Sequence, residues 1–194
     1  PLPAAIQGAL AMMVLSLFMI PAFIFADYQG REVTGSYEIA TTEAILVDES
    51  RVETFETDGS KREVPVHFYY PADAAEDELF PLVLFSHGAF GYYQSNTSTY
   101  MELASQGYVV VSLDHPYHSF FCKDTDGKIV TVNPDFLNEV MYVNDAVASE
   151  EEILELSAKW LKLRTDDISF VLDSIEKYTG ESYNKEETGW SPMD

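Results

Sequence analysis

The sequence has a single cysteine and few basic residues. Cys122 cannot form an intrachain disulfide, and no cysteine pair or H-E-x-x-H pattern is present to bind zinc. We therefore expect no metal and no cofactor. The sequence has 11 Lys and Arg side chains and 33 Asp and Glu side chains, so its formal net charge is -22. A chain this acidic repels a phosphate backbone, which argues against nucleic acid as a partner.

Residues 1–26 contain no charged side chain, and Asp27 is the first ionisable side chain of the sequence. As a helix, the apolar residues 9–26 would cover about 27 Å, close to the ~30 Å of a bilayer core. We expect residues 1–26 to be a transmembrane segment or signal anchor, with the membrane as a partner through residues 9–26. The flanking charges do not give the orientation, and we expect the domain on the non-cytoplasmic side because its acidic composition suits that side. A cleaved secretory signal and a buried core helix are the alternatives.

A turn signal follows a linker and first strand region at residues 27–49. The residues Asp58–Lys61 separate two strand-like runs, Arg51–Thr57 and Glu63–Tyr70, and this order predicts a hairpin. Apolar side chains alternate along the second run, which directs His67 away from the apolar face. We therefore expect His67 to be a surface or pairing residue rather than a ligand.

The next segments predict a parallel β-sheet. The apolar run Phe80–Phe85 is typical of a buried strand, and a helical pattern with a Thr99-x-x-Glu102 capping box extends over Ser95–Gln106. Gly107 ends this helix, and Tyr108–Leu113 forms a second buried strand. Strand, helix and strand at this spacing predict a βαβ unit, so the fold class is α/β.

Two further segments complete the chain. The residues from Tyr117 to Ala148 read as a long irregular insertion, either a lid over a site or a solvated surface excursion. A helix is predicted from a Ser149/Glu152 capping box to Tyr178, with Gly180 as its stop. Its apolar stripe, which would cover the sheet, consists of Leu161, Ile168, Leu172 and Ile175.

The sequence lacks a nucleophile pattern but has a possible oxyanion loop. No serine lies in the G-x-S-x-G context of a strand-to-helix nucleophile turn. His87, Gly88 and Ala89, however, directly follow a predicted buried strand. A glycine at such a point lets the backbone turn away from the sheet and present N–H groups to a developing oxyanion.

The sequence resembles the α/β-hydrolase superfamily in PLVLFSHGAFGYYQSNTSTYMELASQGYVVVSLDHPYHS and in the upstream VPVHFYYPAD. It is most similar to the branch of platelet-activating-factor acetylhydrolases and dienelactone-hydrolase-like esterases, over roughly residues 50–180. The most specific stretches are YYPAD, FSHG and ASQGYVVVSLDHP. The resemblance implies a serine hydrolase of carboxylic esters (EC 3.1.1 type) that acts through an acyl-enzyme. It also implies an oxyanion hole to which the N–H of Ala89, helped by that of Phe90, contributes one donor, while the second donor comes from the residue after the nucleophile.

In that family the Ser, Asp and His of the triad follow the fifth core strand, so none of them can be placed on this sequence. We expect residues 50–194 to be the N-terminal part of the hydrolase domain, truncated before the nucleophile turn. This part would supply the oxyanion loop and lid for a substrate that is a small or lipid-like ester, and would be inactive alone. The alternative is a non-catalytic, membrane-tethered binding or scaffold domain.

Several residues near the strand ends are candidates for the substrate pocket: Tyr92, Asp114, His115 and His118. For Asp114 and His115 a local turn contact is an equal alternative, and for His118 the alternative is an aromatic loop packing on its own core. His87 precedes the glycine, and we expect it to brace the oxyanion turn by hydrogen bonding.

Overall fold

The structure, a computed structural model, describes residues 3–24, 31–75, 78–145 and 148–180. The chain divides into two compact units, Pro1–Glu32 and Val33–Asp194. The first contains helix α1 (Ala4–Ile24).

No helix among the described residues combines the length and the apolar character needed to cross a membrane. The predicted membrane span is therefore without support in the structure. The predicted boundary at residue 26 lies outside the described residues.

The second unit is built on a four-stranded sheet in the order β1-β2-β4-β3. Its strands are β1 (Ile39–Val52), β2 (Lys61–Pro71), β3 (Leu82–Ser86) and β4 (Val109–Leu113). Strand β2 pairs antiparallel with β1 and β4, whereas β3 and β4 run parallel. The α/β class and the parallel βαβ unit are thus confirmed. In the described part of the chain, β3 forms one edge of this sheet.

The predicted hairpin exists, but its first strand lies earlier than expected. Strand β1 begins at Ile39, so the prediction of a first arm over Arg51–Thr57 is wrong beyond Val52. The register between β1 and β2 shifts after Asp48, whose carboxylate accepts hydrogen bonds from the main-chain N–H of Ser50 and from Arg51. These contacts bend the chain where the regular pairing stops.

The helix between β3 and β4 begins with a short 3-10 turn, Tyr93–Asn96, and continues as α2 (Thr97–Ser105). The predicted Thr99/Glu102 capping box is wrong. The Glu102 carboxylate instead accepts hydrogen bonds from the N–H and hydroxyl of Thr34, which lies far away in the sequence. Gly107 ends the helix as predicted, in the left-handed conformation with φ 89°.

The insertion after β4 is regular rather than irregular. It forms a small hairpin of β5 (Phe121–Lys123) and β6 (Ile129–Thr131), followed by α3 (Pro134–Asn144). Asn133 caps α3 by accepting hydrogen bonds from the N–H groups of Asp135 and Phe136. The prediction of a long irregular segment is therefore wrong, because strands of three residues are too short to show a period.

Helix α4 (Glu150–Gly180) starts at the predicted Ser149/Glu152 capping box. Its sheet-facing side is rotated from the prediction, since Leu161 and Leu172 are 60% and 37% exposed while Val171 is fully buried. Ile168 and Ile175 pack beside Val171. The helical spacing places two polar residues, Arg164 and Asp167, on this inward side.

The core lies on both faces of the sheet. On one face α4 packs against β2 and β4, and on the other face α2 packs against the same two strands, which gives a helix-sheet-helix arrangement. The buried residues of the first cluster are Val64, Val66, Phe68, Tyr70, Val111, Leu113 and Val171. Those of the second cluster are Tyr69, Tyr100, Ala104 and Val110.

Candidate active site

The chain makes a tight turn directly after β3, which we call the oxyanion turn (His87–Gly91). The Gly91 N–H donates to the Gly88 carbonyl at 3.1 Å, and Phe90 has the left-handed φ of 58°. A bulky residue with positive φ is a strained position, and such positions cluster at functional sites. Among the described residues, neither the Ala89 N–H nor the Phe90 N–H has a hydrogen-bond acceptor.

The conformation of Gly88 differs from the expectation. Its φ is not in the left-handed region, so the turn does not depend on the backbone freedom of this glycine. A Cβ atom added at Gly88 would meet no described atom within 4 Å. Because Gly88 has no side chain, the space beside the free N–H groups is open, and another molecule can approach the main chain there.

His87 braces the turn from its two ring nitrogens. Because the Gly88 carbonyl can only accept, His87 Nδ1 carries the proton and donates to it at 2.7 Å. Nε2 then accepts from the Ser119 hydroxyl at 2.7 Å. Burial lowers the pKa of His87 to about 4, which keeps the ring neutral at physiological pH.

This brace sets the direction of the Ala89 N–H. In a trans peptide the N–H points opposite to the preceding carbonyl. The Gly88 carbonyl is bound by His87 and by Gly91, so the Ala89 N–H is directed away from both. The geometry thus presents a free donor on the outer side of the turn.

A guanidinium group also contacts the turn. Arg164, on the inward side of α4, donates from Nη1 to the His87 carbonyl. In this way the helix that covers the sheet reaches the strand end that carries the turn.

Beneath the turn lies a relay of three side chains with the order of a catalytic triad. The Ser86 hydroxyl is 2.8 Å from His115 Nε2, and His115 Nδ1 is 2.9 Å from Asp167 Oδ2. Since an ionised carboxylate only accepts, Nδ1 carries the proton and Nε2 accepts from Ser86. This is the hydrogen-bond order of a nucleophilic serine, its base and an orienting acid.

Two arginines hold the acid end of the relay. Arg62 donates to both Asp167 oxygens, at 3.1 and 2.7 Å, and Arg51 donates to Oδ1 at 2.9 Å. Burial by itself raises the pKa of Asp167, but the hydrogen bonds from His115 and Arg62 outweigh it and hold this pKa well below its usual range. Asp167 is therefore ionised.

The relay is closed to a substrate at its centre. His115 and Asp167 have no exposed surface, and burial lowers the pKa of His115 despite the opposing effect of Asp167. A base without access cannot pass a proton to a leaving group. We therefore interpret Ser86, which is partly buried, and the fully buried His115 and Asp167 as a network that fixes the end of β3. Cys122 is also no nucleophile, since burial raises its pKa to about 12.

Asp114 fixes the segment that follows the turn. Its Oδ1 accepts from the main-chain N–H of Tyr93 at 2.9 Å, and its Oδ2 lies 3.6 Å from His67 Nε2. The His67 ring stacks on the Tyr93 ring with centroids 3.5 Å apart, which agrees with the pairing role expected for His67. Tyr92 packs edge to face against Tyr93.

Of the pocket candidates, His118 alone lines the cavity of about 1010 Å³ that is bordered by α3, α4 and the segment after β1. The His118 ring stacks on Phe136 at 3.8 Å, and Phe136 in turn contacts Phe90 of the oxyanion turn at 5.7 Å between centroids. Burial lowers the pKa of His118 to about 3. Within the described residues, no group of three or more His, Cys, Asp or Glu side chains could hold a metal ion.

Sequence reasoning missed most of the polar network around the turn. The missed residues are Arg62, Ser86, Ser119, Arg164 and Asp167. For Arg164 and Asp167 a signal existed, because their spacing places them on the same side of the helix as Ile168 and Val171. Polar residues on an apolar stripe need buried partners, and this requirement singles them out.

Comparisons with known proteins agree with this architecture. The chain resembles a ferulic acid esterase from Streptomyces cinnamoneus with a TM-score of 0.57 and 20% sequence identity, over 74% of this chain and 48% of that one. At this identity the likeness concerns the fold, and the chain spans about half the length of that esterase. The profile of one family matches residues 55–187, more than half of the chain. The predicted resemblance is thereby confirmed, and the protein belongs to the family described as platelet-activating factor acetylhydrolase, isoform II.

Proposed function

We propose that the protein hydrolyses carboxylic esters through an acyl-enzyme and that the oxyanion turn stabilises the negative charge of the tetrahedral intermediate. The observation that carries this proposal is the pair of free N–H groups at Ala89 and Phe90, on a strained turn at the carboxyl end of a parallel strand. Open α/β sheets bind ligands at this end of their strands. Membership of an acetylhydrolase family supports the same reaction class.

In the proposed mechanism the turn acts on the carbonyl oxygen of the ester. As the attacking group adds, this oxygen becomes an anion and accepts hydrogen bonds from the Ala89 and Phe90 N–H groups. The donors need no reorganisation, because His87 and Gly91 already hold the Gly88 carbonyl on the opposite side. One such donor contributes about 10²–10³-fold to kcat in serine hydrolases.

The attacking serine, its base and its acid are proposed to lie outside residues 1–194. No G-x-S-x-G pattern occurs in this sequence, and in the one Ser-His-Asp arrangement among the described residues the histidine and the aspartate are fully buried. Ser86 also precedes the free N–H groups on the same short segment. The relay therefore serves the turn rather than the attack.

We propose that α3 and the β5–β6 hairpin form the lid and an apolar wall for the substrate. Phe136 of α3 lies between the ring of Phe90 and the ring of Trp160, and Phe55 contacts His118 nearby. This aromatic surface favours esters with an apolar acyl or alcohol part, including lipid-like esters.

The proposed membrane anchor is carried by the sequence of the N-terminal segment, and the proposed non-cytoplasmic location by the acidic composition of the domain that follows. Carbonate extraction of membranes that contain the complete gene product tests the anchor. Release of the protein into the supernatant contradicts an integral anchor.

The experiment for the proposed function is labelling of the complete gene product with a fluorophosphonate probe, together with hydrolysis of p-nitrophenyl esters of short and long acyl chains. We expect one labelled serine, located by peptide mapping outside residues 1–194, and turnover that labelling abolishes. A folded protein that neither labels nor turns over these esters contradicts the proposal and favours a non-catalytic binding domain.

A further inference from the structure

Arg164 is placed differently from Arg51 and Arg62. Arg51 and Arg62 both donate to the carboxylate of Asp167, and Arg62 also binds Glu53 at 2.8 Å. Arg164 has no carboxylate within ion-pair distance among the described residues. Its hydrogen-bond partner is the neutral carbonyl of His87.

A half-buried guanidinium without a carboxylate is unfavourable for stability alone. Burial lowers the pKa of Arg164, and Asp167, which lies one helical turn further along α4, offsets only part of this effect. In a chain of net charge -22, carboxylates are abundant as partners. Within the described part of the chain, structural pairing therefore does not account for the position of this charge.

The reason we infer rests on the proposed function. We propose that Arg164 is a positioning residue of the oxyanion turn, which holds the His87 peptide in place and adds a fixed positive charge to the field that stabilises the oxyanion. The Arg164 nitrogen binds a carbonyl only two residues before the free N–H of Ala89. A developing negative oxygen at that N–H interacts with the guanidinium through partly desolvated protein, where charges act more strongly than in water.

The two parts of this role can be separated by substitution. In Arg164→Lys the positive charge is retained while the planar fork is lost. In Arg164→Gln a donor for the His87 carbonyl is retained while the charge is lost. The matched control is Lys162→Gln, because Lys162 lies on the same helix, is 75% exposed, and binds Asp166 instead of the turn.

The experiment measures kcat and KM for p-nitrophenyl acetate on the complete gene product, with thermal unfolding of each variant. We expect Arg164→Gln to lower kcat about 10- to 100-fold with KM within about twofold. Arg164→Lys should keep kcat within about tenfold of the unchanged protein, and Lys162→Gln should not alter it. If Arg164→Gln does not unfold cooperatively, the kcat of Arg164→Lys decides: a value about two- to tenfold below that of Lys162→Gln supports the positioning role, and a value equal to that of Lys162→Gln overturns it.

The outcomes separate this inference from the proposed function. If the unchanged protein hydrolyses the ester and Arg164→Gln has the kcat of Lys162→Gln, the role of Arg164 is overturned while the esterase proposal stands. A folded Arg164→Lys variant that is as slow as Arg164→Gln overturns the contribution of charge. If the unchanged protein is inactive, the proposed function falls and this inference falls with it.

Discussion

His115 Nδ1 lies 2.9 Å from Asp167 Oδ2, although the two residues are 52 positions apart in the chain. The other ring nitrogen, Nε2, binds the Ser86 hydroxyl, so His115 has the hydrogen bonds of a catalytic base. Its ring is fully buried, however, and a substrate cannot reach it. The same arrangement of groups that activates a nucleophile at a surface serves here to fix the end of a strand. Exposure, rather than distance alone, separates the two roles.

This interpretation predicts the behaviour of Ser86→Ala. The substitution leaves His115 Nε2 as a buried acceptor without a donor, so the free energy of unfolding should fall by about 1–3 kcal/mol. Fluorophosphonate labelling of the complete gene product should persist, because the labelled serine lies elsewhere. Chemical denaturation and labelling of the same sample check both points, and loss of labelling in a folded variant would identify Ser86 as the nucleophile.

The neighbouring acids Asp166 and Asp167 should differ sharply in their effect on stability. Asp167→Asn removes the carboxylate charge that Arg62 and Arg51 share and leaves these arginines only Glu53 and Asp48 as ion-pair partners, so we expect a loss of about 3 kcal/mol. Asp166 pairs with the exposed Lys162, and Asp166→Asn should change stability by about 0–1 kcal/mol. Urea unfolding measures both values, and equal effects would rule out the buried network as a source of stability.

Two glycines of the oxyanion turn should respond differently to alanine. At Gly91 a Cβ would lie 2.9 Å from Ser95 Oγ and 3.0 Å from His87 Cβ, so Gly91→Ala should lower stability by about 1–3 kcal/mol and disturb the brace. At Gly88 a Cβ meets no described atom within 4 Å, and Gly88→Ala should unfold at a similar temperature to the unchanged protein. Differential scanning calorimetry tests the contrast. A Gly88→Ala variant less stable than Gly91→Ala contradicts the described geometry of the turn.

The buried histidines predict a loss of stability on the acid side of neutrality. In the folded protein the pKa values of His87 and His118 are about 4 and about 3, below the ~6.5 of an exposed histidine. The unfolded chain therefore binds protons below pH ~6.5 that the folded chain does not bind, so stability falls as the pH drops from ~6.5 towards ~4. Asp167 has a lowered pKa, and its contribution, present above pH ~3.9, is lost at still lower pH.

The measurement is urea unfolding at about pH 7.5 and about pH 5, where we expect a decrease of about 4 kcal/mol, since each of the two histidines contributes about 2 kcal/mol over this range. His118→Phe provides the matched variant, since the ring stacks on Phe136 and its Nδ1 atom is buried without a hydrogen-bond partner among the described residues. It should fold normally and show a smaller decrease. A stability that is constant between these pH values would contradict the burial of both rings.

Local patterns in the sequence were sufficient for the elements that carry the turn. The apolar runs of β3 and β4, the stop at Gly107 and the Ser149/Glu152 capping box each depend on residues close together in the chain. The turn at His87, Gly88 and Ala89 follows from its position after a buried strand, whereas the oxyanion roles of Ala89 and Phe90 are implied by the family resemblance. Their assignment to an oxyanion hole stays a prediction.

The polar network could not be predicted in the same way, because its contacts join distant segments. Arg62 and Asp167 are 105 positions apart, and only the packing of α4 on the sheet brings them together. The positive φ of Phe90 could not be predicted either, because a bulky side chain gives no local signal for the left-handed region. The sequence likewise placed Leu161 and Leu172 on the buried stripe of α4, and a rotation of the helix exposes them.

The central claim, that the main-chain N–H of Ala89 stabilises the oxyanion, is tested most directly by Ala89→Pro. Ala89 is the second residue of the turn from Gly88 to Gly91, a position where proline is favoured, so the substitution removes the N–H and keeps the turn. Ala89→Gly retains the N–H and is the control. We predict that kcat for p-nitrophenyl acetate falls about 10²–10³-fold in Ala89→Pro, with unchanged unfolding temperature, while Ala89→Gly stays within about threefold. A folded Ala89→Pro protein with the kcat of the control would contradict the account.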